Sequence, residues 1–209
     1  MPYYLGNAWS VANNGIGDMK AEALNRRQVV AELLVDREKL LVCSGLGSAT
    51  YDVMAAGDHV RNFYLWGAMG SAAMIGLGLA RSRPDENILV ITGDGEMLMG
   101  LGSLATIAVQ SPTNLSIVVL DNGHYGETGM QTSHCGHGVA LDRVADSLGF
   151  DYAAEIDNMD AVADFRQRVH RASGLNFASI RVDIRELPRV LPSRDGIFIK
   201  NRLKTALID

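Results

Sequence analysis

Short apolar runs alternate along the chain with longer segments in which apolar residues recur every three or four positions. The runs typical of strands are Leu40–Cys43, Asn62–Leu65, Ile88–Thr92, Leu115–Leu120 and Phe177–Ile184, with a weaker one at Tyr152–Ile156. Helices are predicted at about 49–57, 70–82, 97–110, 139–148 and 159–173, and across Ala21–Asp36. Strands that alternate with helices predict an α/β fold of three layers, α/β/α, with a mostly parallel sheet. The nearly continuous apolar runs ILVIT and LSIVVL suit strands that are covered on both faces.

The two ends of the chain lack this alternation. Residues 1–18 are rich in Gly and Asn and have no clear period, so we interpret them as an N-terminal extension. Residues 19–186 are predicted to form one domain. The basic tail with Pro188 and Pro192 predicts a C-terminal arm over 187–209, which is either solvated or laid across a subunit interface.

Composition narrows the class of protein. The chain has 209 residues, of which 47% are hydrophobic, and a formal net charge of -5, without the basic excess typical of nucleic-acid binding. Two distant cysteines, Cys43 and Cys135, favour a reducing compartment. Because no segment reaches the length of a membrane span and the N-terminus lacks a signal-peptide pattern, we expect a cytoplasmic protein.

A glycine-rich loop, SGLGSAT, follows the first predicted strand. A dinucleotide-binding motif fits poorly, because Thr50 stands where the third small residue belongs and no acid ends the next strand. A simple turn that requires glycine is one alternative. The position after a strand nevertheless makes Gly45 and Leu46 candidate cofactor-binding residues.

Polar clusters follow two neighbouring strands. Gly93-Asp94-Gly95 comes directly after one, Asp121-Asn122-Gly123-His124 after the other, and 25 residues, 96–120, lie between the clusters. Carboxylate and carboxamide oxygens at the same edge of a sheet suit magnesium. The helix that begins near Glu96 offers free N–H groups to a phosphate. Either cluster alone is also consistent with an ordinary turn.

The glycines and this spacing resemble the fingerprint of thiamine-diphosphate (ThDP) enzymes, in which GDG is followed, after about two dozen residues, by an Asn pair. Here Asp121 replaces the first Asn, and Asn122 keeps the second. The segments FYLWGAMGSAAMIGLGLA, ITGDGEMLMGLGSLATIA and LSIVVLDNGHYGETGMQTSH are most similar to sulfopyruvate decarboxylase beta subunits and phosphonopyruvate decarboxylases.

The resemblance implies the ThDP-binding fold and a set of site residues. The magnesium ligands would be the side chains of Asp94 and Asn122 and the main-chain carbonyl of His124. Met69 would support the bent cofactor, and the carbonyl of Gly67 would accept from its aminopyrimidine. Further cofactor contacts are implied for Gly93, Gly95, Glu96, Tyr125, Gly126 and Glu127.

The resemblance also implies a partner. The chain has room for only the diphosphate-binding domain, so the activating glutamate would come from a separate pyrimidine-binding subunit, in a hetero-oligomer with self-association. The implied reaction is decarboxylation of a small anionic 2-oxo acid such as sulfopyruvate or phosphonopyruvate. A ThDP-dependent oxidoreductase or carboligase subunit, and a non-catalytic ThDP-binding assembly subunit, are the alternatives.

Three residues near the second cluster are candidate catalytic groups. His134 and His137 either bind an anionic headgroup or move a proton, or they are ordinary loop histidines. Glu127 is the third candidate, although Thr128 stands where pyruvate decarboxylases carry a glutamate. Zinc bound by His134, Cys135 and His137 is disfavoured, because no fourth ligand is evident.

Overall fold

Six parallel strands form the centre of the computed structural model, which describes residues 23–37 and 39–208. The strands are β1 (Leu41–Ser44), β2 (Asn62–Tyr64), β3 (Ile88–Gly93), β4 (Leu115–Asp121), β7 (Tyr152–Ile156) and β8 (Asn176–Arg181). Their order across the sheet is β2-β1-β3-β4-β8-β7. A separate antiparallel hairpin pairs β5 (His124–Tyr125) with β6 (Gln131–Thr132). The predicted N-terminal extension, 1–18, lies outside the described residues.

Eight α-helices accompany the strands in the described ranges. They are α1 (Arg26–Leu33), α2 (Ser48–Ala55), α3 (Ala72–Ser82), α4 (Asp94–Met99), α5 (Gly102–Gln110), α6 (Leu141–Ser147), α7 (Met159–His170) and α8 (Gly196–Ala206). None of these helices is long and apolar enough to cross a membrane.

Alternating side chains of the central strands divide the core into two halves. In β3, Leu89 and Ile91 join the cluster that packs on α1, α2 and α7, whereas Ile88 and Val90 join the cluster on α3, α5 and α6. This alternation follows from the period of two along a strand. Since both clusters are apolar, the central strands are buried on both faces, and the predicted three-layer α/β fold is confirmed.

The helix predicted over 97–110 is wrong in its bounds, because the segment forms α4 and α5. They separate at Gly100, where the backbone passes so close to Gly70 that a Cβ would lie 2.1 Å from the Gly70 carbonyl oxygen. The helix predicted across Ala21–Asp36 is also too long. In the structure, α1 begins at Arg26, because Asn25 caps it by accepting hydrogen bonds from the N–H groups of Arg27 and Gln28.

The C-terminal tail contains a helix that the apolar pattern did not predict. Asp195 caps α8 by accepting from the N–H groups of Ile197 and Phe198. Ile199 enters the core on one side of the sheet and Leu203 the core on the other. The tail therefore packs on the described domain, and its division into domain and arm stays a prediction.

Candidate functional site

An open cleft of about 650 Å³ lies where β3 and β4 end. Because all strands of the main sheet are parallel, the loops that follow them meet at one edge. The predicted site residues that line this cleft are Leu46, Met69, Gly93, Asp94, Gly95, Glu96, Asn122, His124, Tyr125, Gly126 and Glu127. The described lining does not include Gly45, Gly67, His134 or His137. The structure thus brings both polar clusters together in a single site.

Asp94 is the most buried acid of the cleft, with 1% of its surface exposed. It is the first residue of α4, and Oδ2 accepts a short hydrogen bond from the hydroxyl of Ser133. Burial and the neighbouring carboxylate of Asp121 raise the pKa of Asp94 to about 6, although the hydrogen bond from Ser133 offsets part of the rise. Ser133 itself is fully buried and was not predicted from the sequence.

The loop after β4 is held by its own side chains. Asp121 Oδ1 accepts from the Gly123 N–H at 2.9 Å, and Asn122 Oδ1 accepts from the His124 N–H at 2.9 Å. Gly123 has φ +68°, a backbone conformation that favours glycine. These turns place Asn122 and His124 on the wall of the cleft that also carries Asp94.

Asp94, Asp121 and Cys135 form a buried cluster whose potential ligand atoms lie within 4.8 Å of one another. Burial raises the pKa of Asp121, and it raises the pKa of Cys135 to about 12, so the thiol stays neutral. The described side chains that approach Cys135 in this cluster are the two acids, not His134 or His137, which further disfavours a zinc site there.

Residues 131–137 support the loop after β4 from outside the cleft. The hairpin pairs His124 with Thr132, and the Ser133 N–H donates to the Gly123 carbonyl at 2.8 Å. Gly136 approaches so closely that a Cβ there would lie 2.6 Å from the same carbonyl oxygen. The segment therefore supports the loop through Ser133 and backbone contacts.

Tyr125 connects this segment to the GDG turn. Its ring packs on Gly95, where a Cβ would lie 2.5 Å from Tyr125 Cδ1. Its hydroxyl lies 3.0 Å from His134 Nδ1, and the two rings meet edge to face. His134 thus contacts a residue of the cleft without lining it, and the catalytic roles of His134, His137 and Glu127 stay predictions.

Gly45 has a packing reason to be glycine. A Cβ at Gly45 would lie 1.7 Å from Glu96 Oε2, which accepts a hydrogen bond from Thr92 Oγ1 at 2.8 Å. Burial raises the pKa of Glu96, and the Thr92 hydrogen bond offsets part of this effect. The absence of a side chain at Gly45 therefore makes room for the buried carboxylate of Glu96, and both Glu96 and Leu46 line the cleft.

Arg26 and Ser48 line the cleft but were not predicted as site residues. Ser48 begins α2, directly after Gly47, whose φ is +83°. Its place after the glycine-rich loop was a usable signal. The sequence around Arg26 offers no such signal, because that residue reaches the cleft through the pairing of Leu24 with Val182, beyond the end of β8.

Fold and cleft together define a class, the α/β proteins that bind a ligand at the carboxyl ends of parallel strands. Residues 42–181 match the family model described as thiamine pyrophosphate enzyme, C-terminal TPP binding domain. The chain belongs to this family, thiamine pyrophosphate being another name for ThDP. The resemblance inferred from the sequence is confirmed.

The names of individual relatives agree with the assignment of the chain to this family. The chain is 43% identical over 114 residues to the sulfopyruvate decarboxylase subunit beta of Methanocaldococcus jannaschii, covering 54% of this chain and 60% of the relative. It is 39% identical over 123 residues to the phosphonopyruvate decarboxylase of Streptomyces viridochromogenes, covering 59% of this chain and 30% of that one. The chain therefore matches less than two thirds of either relative.

A solved structure supports the fold. The benzoylformate decarboxylase of Polynucleobacter necessarius superimposes with a TM-score of 0.65 at 16% identity, over 84% of this chain and 36% of the other.

Proposed function

We propose that the chain is the diphosphate- and magnesium-binding subunit of a ThDP-dependent 2-oxo acid decarboxylase. The observation that carries this proposal is the placement of Asp94 and Asn122 in one cleft, at the ends of β3 and β4, within the matched family domain. The side chains of Asp94 and Asn122 and the main-chain carbonyl of His124 would hold the magnesium ion. All three ligands are oxygens, as this ion prefers.

The charges of the site fit a divalent cation. Asp94 and Asp121 are both buried, and the described side-chain partner of Asp94 is the uncharged hydroxyl of Ser133. The nearest described cation of Asp121 is Arg181, whose Nη1 is 3.9 Å from Oδ2. Two buried carboxylates without closer compensation are costly, and a metal ion between Asp94 and the diphosphate would offset that cost.

The backbone of the cleft fits a diphosphate. Two helices, α2 and α4, begin at its lining residues Ser48 and Asp94, and neither start is capped by a side-chain hydrogen bond. The first N–H groups of α2 have no described partner and would suit phosphate oxygens, whereas those of Asp94 and Gly95 in α4 face the Asp94 carboxylate. When bound, ThDP supplies the electron sink for decarboxylation, while the residues of this chain bind and orient its diphosphate end.

The substrate and the partner follow from the relatives. Their names specify sulfopyruvate and phosphonopyruvate, both small anionic 2-oxo acids, and one of them is a beta subunit. We therefore assign the same substrate class to this chain, together with a pyrimidine-binding partner subunit that supplies the activating glutamate. His134, His137 and Glu127 remain candidate catalytic groups within that complex.

The test is to purify the chain with its co-eluting subunit and to measure carbon dioxide release from sulfopyruvate, phosphonopyruvate and pyruvate. Asp94→Ala is expected to abolish release, because it removes a magnesium ligand. Asp164→Ala, which removes an exposed acid of α7 that does not line the cleft, should leave it unchanged.

Three outcomes would contradict this proposal. Robust decarboxylation by the chain alone excludes the need for a partner. An assembled, active Asp94→Ala complex favours the non-catalytic alternative, and turnover only with an added electron acceptor or a second carbonyl substrate favours the oxidoreductase or carboligase.

A further inference from the structure

We propose that Arg26 binds the terminal phosphate of the cofactor diphosphate. This inference rests on the proposed function and adds to it a cationic residue outside the GDG and Asn122 motifs. Arg26 opens α1 at the edge of the sheet where the cleft lies, because Leu24 pairs with Val182 just beyond β8. It lines the cleft together with Asp94, Gly95 and Asn122.

The charge around Arg26 is unbalanced. Asp52 of α2 is fully buried, and its two oxygens accept from two arginines, Oδ2 from Arg26 Nε at 2.6 Å and Oδ1 from Arg27 Nε at 3.1 Å. Asp183 also lies within electrostatic reach of Arg26, but it is paired with Arg185. The three arginines therefore face two carboxylates, and one positive charge is in excess. Since guanidinium does not lose its proton in proteins, this excess charge favours an anion bound beside Arg26.

Only one of the two arginines faces the cleft. Arg26 is 8% exposed and lines the cleft. Arg27 does not line the cleft, and its Nη2 donates to the Pro188 carbonyl at 2.7 Å. For Arg26, Nη1 makes one long contact of 3.4 Å to the Arg185 carbonyl, and the described residues provide no acceptor for Nη2. Arg26 is therefore the arginine of this pair that lies at the cleft and keeps a donor, Nη2, without a described acceptor.

The surroundings of these donors suit a phosphate. Ser48, the first residue of α2, and Gly126 line the cleft together with Arg26. All three also line an adjoining groove, whose other charged residues are Glu127, Glu186 and Arg189. The acids that line the cleft are Asp94, Glu96 and Glu127, of which the first is assigned to magnesium, the second is turned toward Thr92, and the third is exposed. A magnesium ion neutralises only part of a diphosphate, so a guanidinium fixed by Asp52 would complete the neutralisation through charge-assisted hydrogen bonds.

The test is calorimetric titration of the full chain, purified with its co-eluting subunit, in the presence of Mg²⁺. The titrants are ThDP, thiamine monophosphate and inorganic diphosphate. Arg26→Gln should weaken ThDP and diphosphate binding about 10- to 100-fold, the range for loss of a hydrogen bond between charged groups. Thiamine monophosphate lacks the terminal phosphate, so its affinity should change much less.

Arg27→Gln is the matched control, because it removes the other partner of Asp52 but no group of the cleft. It lowers the local positive charge without removing a donor of the cleft, so it should weaken ThDP binding much less than Arg26→Gln. Arg26→Lys keeps the positive charge but lacks the planar, several-donor geometry of guanidinium, so it should recover part of the lost affinity. Thermal unfolding of each variant identifies any loss of folding.

Equal ThDP affinity of Arg26→Gln and the unsubstituted chain would overturn the inference. So would equal losses in Arg26→Gln and Arg27→Gln, or a rise in substrate KM with unchanged ThDP binding, which assigns the guanidinium to the substrate headgroup. If the unsubstituted complex binds neither Mg²⁺-ThDP nor Mg²⁺-diphosphate, the proposed function itself fails.

Discussion

The contact between Asp94 and Ser133 connects the cleft to a segment that does not line it. Ser133 is fully buried, its hydroxyl donates to Asp94 Oδ2, and its N–H donates to the Gly123 carbonyl at 2.8 Å. One residue therefore orients a proposed magnesium ligand and supports the loop that carries Asn122. Groups that orient ligands in this way influence metal affinity strongly.

Ser133→Ala is expected to lower Mg²⁺ affinity about 10- to 100-fold, because Asp94 loses its orienting donor. Mg²⁺ titration of ThDP binding by calorimetry measures the change. Ser147→Ala serves as the control, since that hydroxyl caps the Val144 carbonyl on an exposed turn of α6. An unchanged Mg²⁺ affinity in Ser133→Ala would show that the hydrogen bond is not needed to orient Asp94.

At the same scale, the sequence was informative for residues that belong to a spaced motif. The places of Asp94 and Asn122 in one cleft followed from two strand ends and the distance between them. Ser133 could not be recognised, because a lone serine in a polar loop has no pattern. Gly45 stays a predicted cofactor contact, and the structure adds a packing role against Glu96, a contact created by the approach of two loops.

At the scale of elements, five of the six predicted strands agree with the structure within one residue at each end, whereas the run Phe177–Ile184 continues three residues beyond β8. Tyr152–Ile156 agrees with the structure, and β3 and β4 each extend the predicted run by one residue. Buried parallel strands are continuous apolar runs, which the sequence displays directly. The separation of α4 from α5 arises from the close passage of Gly70 and Gly100, a tertiary contact that no local pattern reports.

The last helix allows a test of how firmly the tail belongs to the domain. Leu203 of α8 is 7% exposed and packs in the core that contains Leu41 and Phe177. Leu203→Ala should lower the free energy of unfolding by about 2–5 kcal/mol, since it leaves a cavity. Urea denaturation followed by circular dichroism measures this change.

Ile197→Ala is the matched control, because Ile197 lies in the same helix and is 69% exposed. Its substitution should have little effect on the free energy of unfolding. If Leu203→Ala has equally little effect on the free energy of unfolding, α8 behaves as a separate arm rather than as part of the folded domain.

For the whole molecule, the parallel sheet brings together residues distant in sequence. Arg26, Ser48, Asp94 and Asn122 come from four segments and meet because the strands point the same way. The same arrangement leaves the cleft open, with Met69 at its wall 39% exposed. We expect the proposed partner subunit to complete the site there.

Cofactor binding should therefore stabilise the complex as a whole. In Mg²⁺ and ThDP at about 100 times the dissociation constant, the gain is about 2.7 kcal/mol, because the ligands bind only the folded state. Chelation with EDTA should lower the thermal midpoint of the unsubstituted complex and of Asp164→Ala. Asp94→Ala should show no EDTA effect, and a full effect in that variant would place the metal elsewhere.

The sequence by itself determined the class of fold, the cofactor and the two motif residues of the proposed magnesium site. It did so because strand runs, glycines and the spacing of polar clusters are local properties of the chain. The tertiary structure alone decided that Ser133 orients Asp94, that Gly45 admits Glu96, and that Arg26 reaches the cleft with an unbalanced charge. These contacts join residues 26 to 51 positions apart, and only the packed sheet brings them together.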